Sequence, residues 1–182
     1  MTMKFAVIDT ETNWNNDVMS IGIVVAEDGS FNSLDCRYFI IPEATVAGGM
    51  FAYALNVKGQ KAEHLERKKT IKALVSFLKH NEVSSIFAYN ASFDARCLPE
   101  LQDYEWHDIL KLAAYKQHNP AIPAGAPCCG TGRLKRGYGV EDIMHMFGEN
   151  DYSEIHNALT DAQDELRIMK YLNYPISKYP TI

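Results

Sequence analysis

No Cys-x-x-Cys spacing occurs among the four cysteines, Cys36, Cys97, Cys128 and Cys129. The paired thiolates of a structural zinc site are therefore missing. Adjacent Cys128 and Cys129 read as reduced thiols in a loop. No apolar run approaches the length of a membrane span. The apolar stretch Phe5–Ile8 is too short for a signal peptide and runs straight into acids. A soluble, cytoplasmic protein with no membrane partner is expected. Positive charge is not in excess: 18 Lys and Arg stand against 23 Asp and Glu, a net charge of −5. Taken alone that argues only weakly against a nucleic-acid partner. It does not exclude an enzyme that collects carboxylates around cations, because bound metals supply local positive charge.

What is present is an ordinary globular balance. Hydrophobic residues are 47% of 182, enough for one domain with a substantial core. No internal repeat or linker divides it. Residues 1–173 read as the domain and 174–182 as a short C-terminal tail.

The chain opens with β-branched and aromatic runs. Lys4–Asp9, Ser20–Glu27 and Arg37–Ile41 read as three strands with short connections, hence antiparallel. Ala62–His80 places Leu65, Ile71, Leu74, Val75 and Leu78 near helical period. Ser85–Tyr89 is a short strand, and Trp106-His107 a last one. Helices are expected over Asp94–Leu101, Asp108–Lys116, Val140–Phe147 and, most clearly, Ala158–Leu172. Strands first, then strands alternating with helices, give the α/β class: a mixed five-stranded sheet, its first three strands antiparallel, flanked by helices. His118–Gly139, rich in Pro and Gly, is a long loop of the kind that is functional or disordered.

Three separated segments carry acid and one also carries a base. Asp9 and Glu11 lie two apart at the end of a strand, so both side chains point to one face. Asp94 opens a helix after the strand Ser85–Tyr89. His156 lies five residues before Asp161 on the last helix. Each has a bland explanation alone: a solvated strand end, a helix-start acid favoured by the dipole, a structural histidine. Together they are what a two-metal phosphodiester-cleaving centre needs. Hard divalent ions take carboxylate oxygens, two ions about 4 Å apart serve the attacking and leaving oxygens, and an imidazole titrates near neutrality. Asp164 and Glu165, further along the same helix, read as solvated-face charges.

The joint pattern resembles the DEDDh (DnaQ-like) 3′–5′ exonuclease family of the RNase H-like superfamily. Val7-Ile8-Asp9-Thr10-Glu11-Thr12 matches its first motif, Asn90-Ala91-Ser92-Phe93-Asp94 its second, and His156-Asn157-Ala158-Leu159-Thr160-Asp161 its third. The order is the family's and spans almost the whole chain. Two positions depart from it: Asn13 follows Thr12 where many relatives have Gly, and Ser20 stands where many have Glu or Gln. The resemblance implies an RNase H-like fold. It implies two divalent cations, Mg²⁺ or Mn²⁺, on Asp9, Glu11, Asp94 and Asp161, with His156 as general base. Nucleoside 5′-monophosphates would leave stepwise from the 3′ end of single-stranded DNA or RNA.

A single strand is gripped by stacking and backbone charge. Candidate stacking groups near the motifs are Trp14, Phe51 and Phe93, each as readily a core residue, with Phe93 expected to pack so as to orient Asp94; Thr12 and Asn90 are further candidate contacts. Arg133, Lys135 and Arg136, in the Gly-rich loop, are the phosphate candidates. Lys58, Lys61, Arg67, Lys68 and Lys69 read as a solvated face. Two other classes compete: a catalytically silent nucleic-acid-binding module on the same fold, and a phosphodiesterase of oligonucleotides or small nucleotides. The short tail favours a stand-alone trimming or repair nuclease over a dedicated polymerase III epsilon-like proofreading subunit. Association with a DNA polymerase and a homodimer both stay open.

Overall fold

The computed structural model describes residues 3–182. Three long strands come first: β1 (Lys4–Thr12), β2 (Val18–Glu27) and β3 (Ser33–Ile40). A one-turn helix α1 (Pro42–Thr45) and a two-residue strand β4 (Glu63–His64) lead to α2 (Arg67–His80). Next come β5 (Ser85–Ala88), α3 (Ser92–Cys97), β6 (Glu105–Asp108), α4 (Leu110–Ala113), α5 (Val140–Met146) and α6 (Ala158–Leu172).

The sheet order is β4-β3-β2-β1-β5-β6. β1 pairs antiparallel with β2, and β2 with β3, while β5 lies parallel to both β1 and β6. The five expected strands are all present. A sixth, β4, is added where Glu63 and His64 run parallel to Phe39 and Ile40. The predicted helix over Ala62–His80 therefore loses its first turn to the sheet and begins at Arg67. Main-chain pairing to β3 overrides the local periodicity there, and the Leu65 N–H extends it by donating to the Ile40 carbonyl.

Two further boundaries move for local reasons. Pro99 ends the helix expected over Asp94–Leu101, and Pro99–Leu101 forms a 3₁₀ turn. Asp108 closes β6 instead of opening a helix. Its carboxylate accepts the Leu110 N–H at 3.0 Å, satisfying a donor that the short helix α4 leaves free at its start. α6 runs over the predicted span. Asn157 caps its start by accepting the Thr160 N–H, and Asn173 ends it in the left-handed conformation.

β1 and β2 lie mid-sheet, and Phe5–Ile8 and Ile23–Ala26 are fully buried. That is why they read as continuous apolar runs and not as alternation. α6 packs against both strands. The long loop is pinned in place: Lys116 and Leu134 donate to the carbonyls of Gly132 and Ala114, and Ile122 and Leu134 are buried. The C-terminal residues cover the outer edge of β6. Thr181 bridges His107, the Asp108 N–H donates to the Pro180 carbonyl, and Tyr179 is buried. That edge of the sheet is therefore not free to pair with another chain. No described helix is long and apolar enough to cross a membrane.

Candidate active site

β1 brings Asp9 and Glu11 to its C-terminal end, beside the end of the parallel strand β5. The chain leaves β5 through a turn at Asn90, whose φ is +64°. Its N–H is held by the Asp108 carboxylate at 3.1 Å, and its carbonyl accepts the Phe93 N–H. The turn delivers Asp94, buried in α3, to β1, where the Thr10 hydroxyl donates to its Oδ1 at 2.7 Å.

The third segment arrives through a close approach. Gly22 of β2 is the register partner of Asp9. A Cβ on Gly22 would stand 2.1 Å from the Ala158 carbonyl oxygen. Only a glycine lets the first turn of α6 settle on the sheet there. The result is convergence: ligand-capable atoms of Glu11, His156 and Asp161 all lie within 4.8 Å of one another. The five motif residues thus gather at one end of the sheet.

Electrostatically the site is acid among acids. Burial holds the Asp9 carboxyl well above the usual carboxylate range, and the charges of Asp94, Glu165, Asp161 and Glu11 add to it. Burial and then Glu154 push Glu11 up to about 8. Asp161 rises to about 8 through burial and then the charges of Glu154 and Glu11. Asp94 rises to about 7 through burial, with the Thr10 hydroxyl pulling the other way. Asp9 Oδ2 and Asp161 Oδ1 are buried without a hydrogen-bond partner. Clustered carboxylates with orphaned buried oxygens need cations or protons. The donor set is all hard oxygen plus one imidazole, which suits divalent ions of the magnesium and manganese type. Partial burial lowers the His156 pKa against the opposing charge of Glu141. Its neutral, proton-accepting form is therefore favoured.

Glu165 and Asp164 correct the expectation of solvated-face charges. Glu165 is only 2% exposed and accepts the Tyr89 N–H at 3.0 Å. Burial, and then the charge of Asp94, hold its carboxyl well above the ordinary range. Asp164, also buried, accepts the Tyr152 hydroxyl at 2.7 Å and pairs with Arg167 at 3.2 Å. The signal for Glu165 was its spacing: it lies one turn after Asp161, on the helix stripe that also carries Ala158 and Ala162. Glu154, its Oε1 3.9 Å from His156 Nδ1, had no signal of that kind.

The substrate candidates are distributed differently. Trp14 is 64% exposed, and its backbone N–H donates to the Gly48 carbonyl. Thr12 is half-buried at the end of β1. Phe51 stacks on the His156 ring, centroids 3.8 Å apart and planes 19° apart. Phe93 does not enter the core. It is half-buried and lines a cavity of about 740 Å³ with Asn16, Asp17, Arg96 and Cys97. Arg67 is engaged by Glu100 at 2.8 Å. In the long loop the Arg133 guanidinium lies over the Tyr138 ring at 5.4 Å, and Lys135 and Arg136 are exposed.

No protein-family model and no curated protein matches this chain. Solved structures do match in fold. The nuclease domain of 3′hExo, a DEDDh family member bound to rAMP, superposes with a TM-score of 0.67 at 12% identity, covering 100% of this chain and 96% of that one. A full-length 3′-exonuclease gives 0.65 at 13%, covering 100% and 91%. Escherichia coli exonuclease I in complex with a dT13 oligonucleotide gives 0.62 at 15%, covering 94% of this chain and 40% of that one. The chain has the fold of the DEDDh nuclease domain, as its motifs led one to expect.

Proposed function

We propose that this protein is a metal-dependent 3′–5′ exonuclease of the DEDDh type, acting on the 3′ end of single-stranded DNA or RNA. The observation that carries the reading is the meeting of Asp9, Glu11, Asp94, His156 and Asp161 at one end of the sheet, with two buried carboxylate oxygens left unpaired. The fold is that of proteins solved with rAMP and with oligonucleotides, which favours a nucleic-acid substrate.

Asp9, Glu11, Asp94 and Asp161 would hold two divalent cations, Mg²⁺ or Mn²⁺. Cations so held supply an acidified water and neutralise charge on the leaving oxygen. His156, favoured in its neutral form, takes the proton from the attacking water. Thr10 fixes the rotamer of Asp94 through its hydroxyl. Glu165 holds the backbone at Tyr89, just before the turn that carries Asp94. Thr12, Trp14 and Asn90 would contact the terminal nucleotide, and Phe51 stacks on His156. Arg133, Lys135 and Arg136 would contact phosphates further along the strand.

The test uses 3′- and 5′-labelled single-stranded DNA and RNA with Mg²⁺, Mn²⁺ or EDTA, beside Asp9→Ala. Metal-dependent laddering from the 3′ end, absent in Asp9→Ala, is expected. Cleavage of dinucleotides alone would make the protein a short-oligomer phosphodiesterase. Binding without cleavage would make it a silent module.

A further inference from the structure

We infer that Phe51 is a positioning residue for the imidazole of His156. The inference rests on the exonuclease reading above and assigns Phe51 a role other than contact with a nucleobase. The two rings stack at 3.8 Å with planes 19° apart. The imidazole has no hydrogen bond among the described residues, and the nearest carboxylate oxygen, Glu154 Oε1, is 3.9 Å from its Nδ1. That is beyond hydrogen-bonding range. A general base is ordinarily oriented by a third group that hydrogen-bonds its second nitrogen. Here the contact that orients the ring is an aromatic face stacked on it.

The stack is built, not incidental, because the segment bearing Phe51 is clamped at both ends of the site. On the third-motif side, the Asn157 side-chain amide donates to the Ala54 carbonyl at 2.9 Å. The Gln60 amide donates to Asn157 Oδ1 at 3.0 Å, and the Tyr38 hydroxyl to the Leu55 carbonyl at 2.9 Å. On the first-motif side, the Trp14 N–H donates to the Gly48 carbonyl, and a Cβ on Gly49 would stand 2.7 Å from the Thr12 carbonyl oxygen. His156 itself sits at φ +59°, a conformation a non-glycine residue adopts only when its surroundings hold it. The Phe51 segment and the start of α6 therefore form one unit, and the imidazole takes its plane from Phe51. Trp14 and Tyr53, the latter edge-on to Phe51 at 6.5 Å, are 64% and 75% exposed. These are the surfaces open to a nucleobase.

The experiment compares wild type, Phe51→Leu and Phe51→Tyr on oligonucleotides ending in a normal or an abasic 3′ residue, with kcat and KM measured separately. It also compares Phe51→Leu in a His156→Gln background. Phe51→Leu is expected to lower kcat on the order of 10-fold with KM nearly unchanged, equally on both ends, as a misaligned base does. Phe51→Tyr restores the rate, and Phe51→Leu adds nothing once His156 is gone. A rise in KM confined to base-bearing ends overturns the proposal in favour of a nucleobase contact. So does an equal loss in the His156→Gln background, or an unchanged kcat. NMR of the metal-free wild type is a second measurement, independent of whether Phe51→Leu folds. The His156 ring protons should be shifted upfield by the stacked ring, and an unshifted position overturns the proposal. A wild type that cleaves neither polymer sinks the exonuclease reading itself. A wild type that cleaves while Phe51→Leu is unaffected sinks this inference alone.

Discussion

Gly22 and Ala158 approach so closely that a Cβ on the glycine would stand 2.1 Å from the alanine carbonyl oxygen. This contact seats the first turn of α6 on β2, opposite Asp9 in the strand register. Gly22→Ala should push α6 off the sheet. Overpacking of this kind costs about 1–3 kcal/mol, so the melting temperature should fall. Activity should fall further than stability explains, because Asp161 and His156 move away from Asp9. A variant with wild-type melting and wild-type rate would show that the approach is not needed.

The raised carboxyl groups make stability depend on pH with a definite sign. Glu11, Asp94 and Asp161 stand at about 8, 7 and 8 in the metal-free fold. Unfolded carboxylates ionise near pH 4. Between those values the folded state binds more protons than the unfolded one, so stability falls as pH rises from about 4 to about 8. Thermal melts in EDTA should show the melting temperature dropping across this window. A divalent cation should restore it, by more at about pH 8 than at about pH 6, and should release protons as it binds. A melting temperature that climbs with pH in EDTA would contradict the clustering.

Glu165 should tolerate amide replacement better than truncation. Glu165→Gln keeps an acceptor for the Tyr89 N–H and removes one acid from the cluster. It should be at least as stable as wild type at pH 8 without metal. Glu165→Ala leaves that buried N–H unpaired, which costs about 1–3 kcal/mol. Urea denaturation of the two variants checks the order, and equal losses would mean that only side-chain volume matters.

Asn157 joins three elements with one buried side chain. It caps α6, donates to the Ala54 carbonyl and the Tyr38 hydroxyl, and accepts from Gln60. Asn157→Ala should cost more than the roughly 1 kcal/mol of an ordinary cap. It should also loosen residues 51–60, which amide hydrogen exchange would report. Loss of protection confined to the start of α6 would show that the link to that segment carries no weight.

Asp9, Glu11, Asp94, His156 and Asp161 were legible because each belongs to a short string, and because the spacing within a strand or helix fixes which face a side chain takes. The span of α6 was legible for the same reason, since its cap and its apolar stripe are local. What the sequence determined by itself is the set of chemical groups, their order, and the helical and strand segments that carry them.

The tertiary structure decided the rest. Glu165 read as solvated because its charge outweighs its spacing, yet β1 and β2 pack over that face of α6 and bury it. Glu63 and His64 read as helix because their pairing partners, Phe39 and Ile40, lie more than twenty residues away. Phe51 meets His156 across 105 residues of chain, through a clamp that no local pattern records. Periodicity encodes what repeats along one element. Burial, pairing and stacking between distant segments depend on which elements pack together, and that is settled only when the whole chain folds.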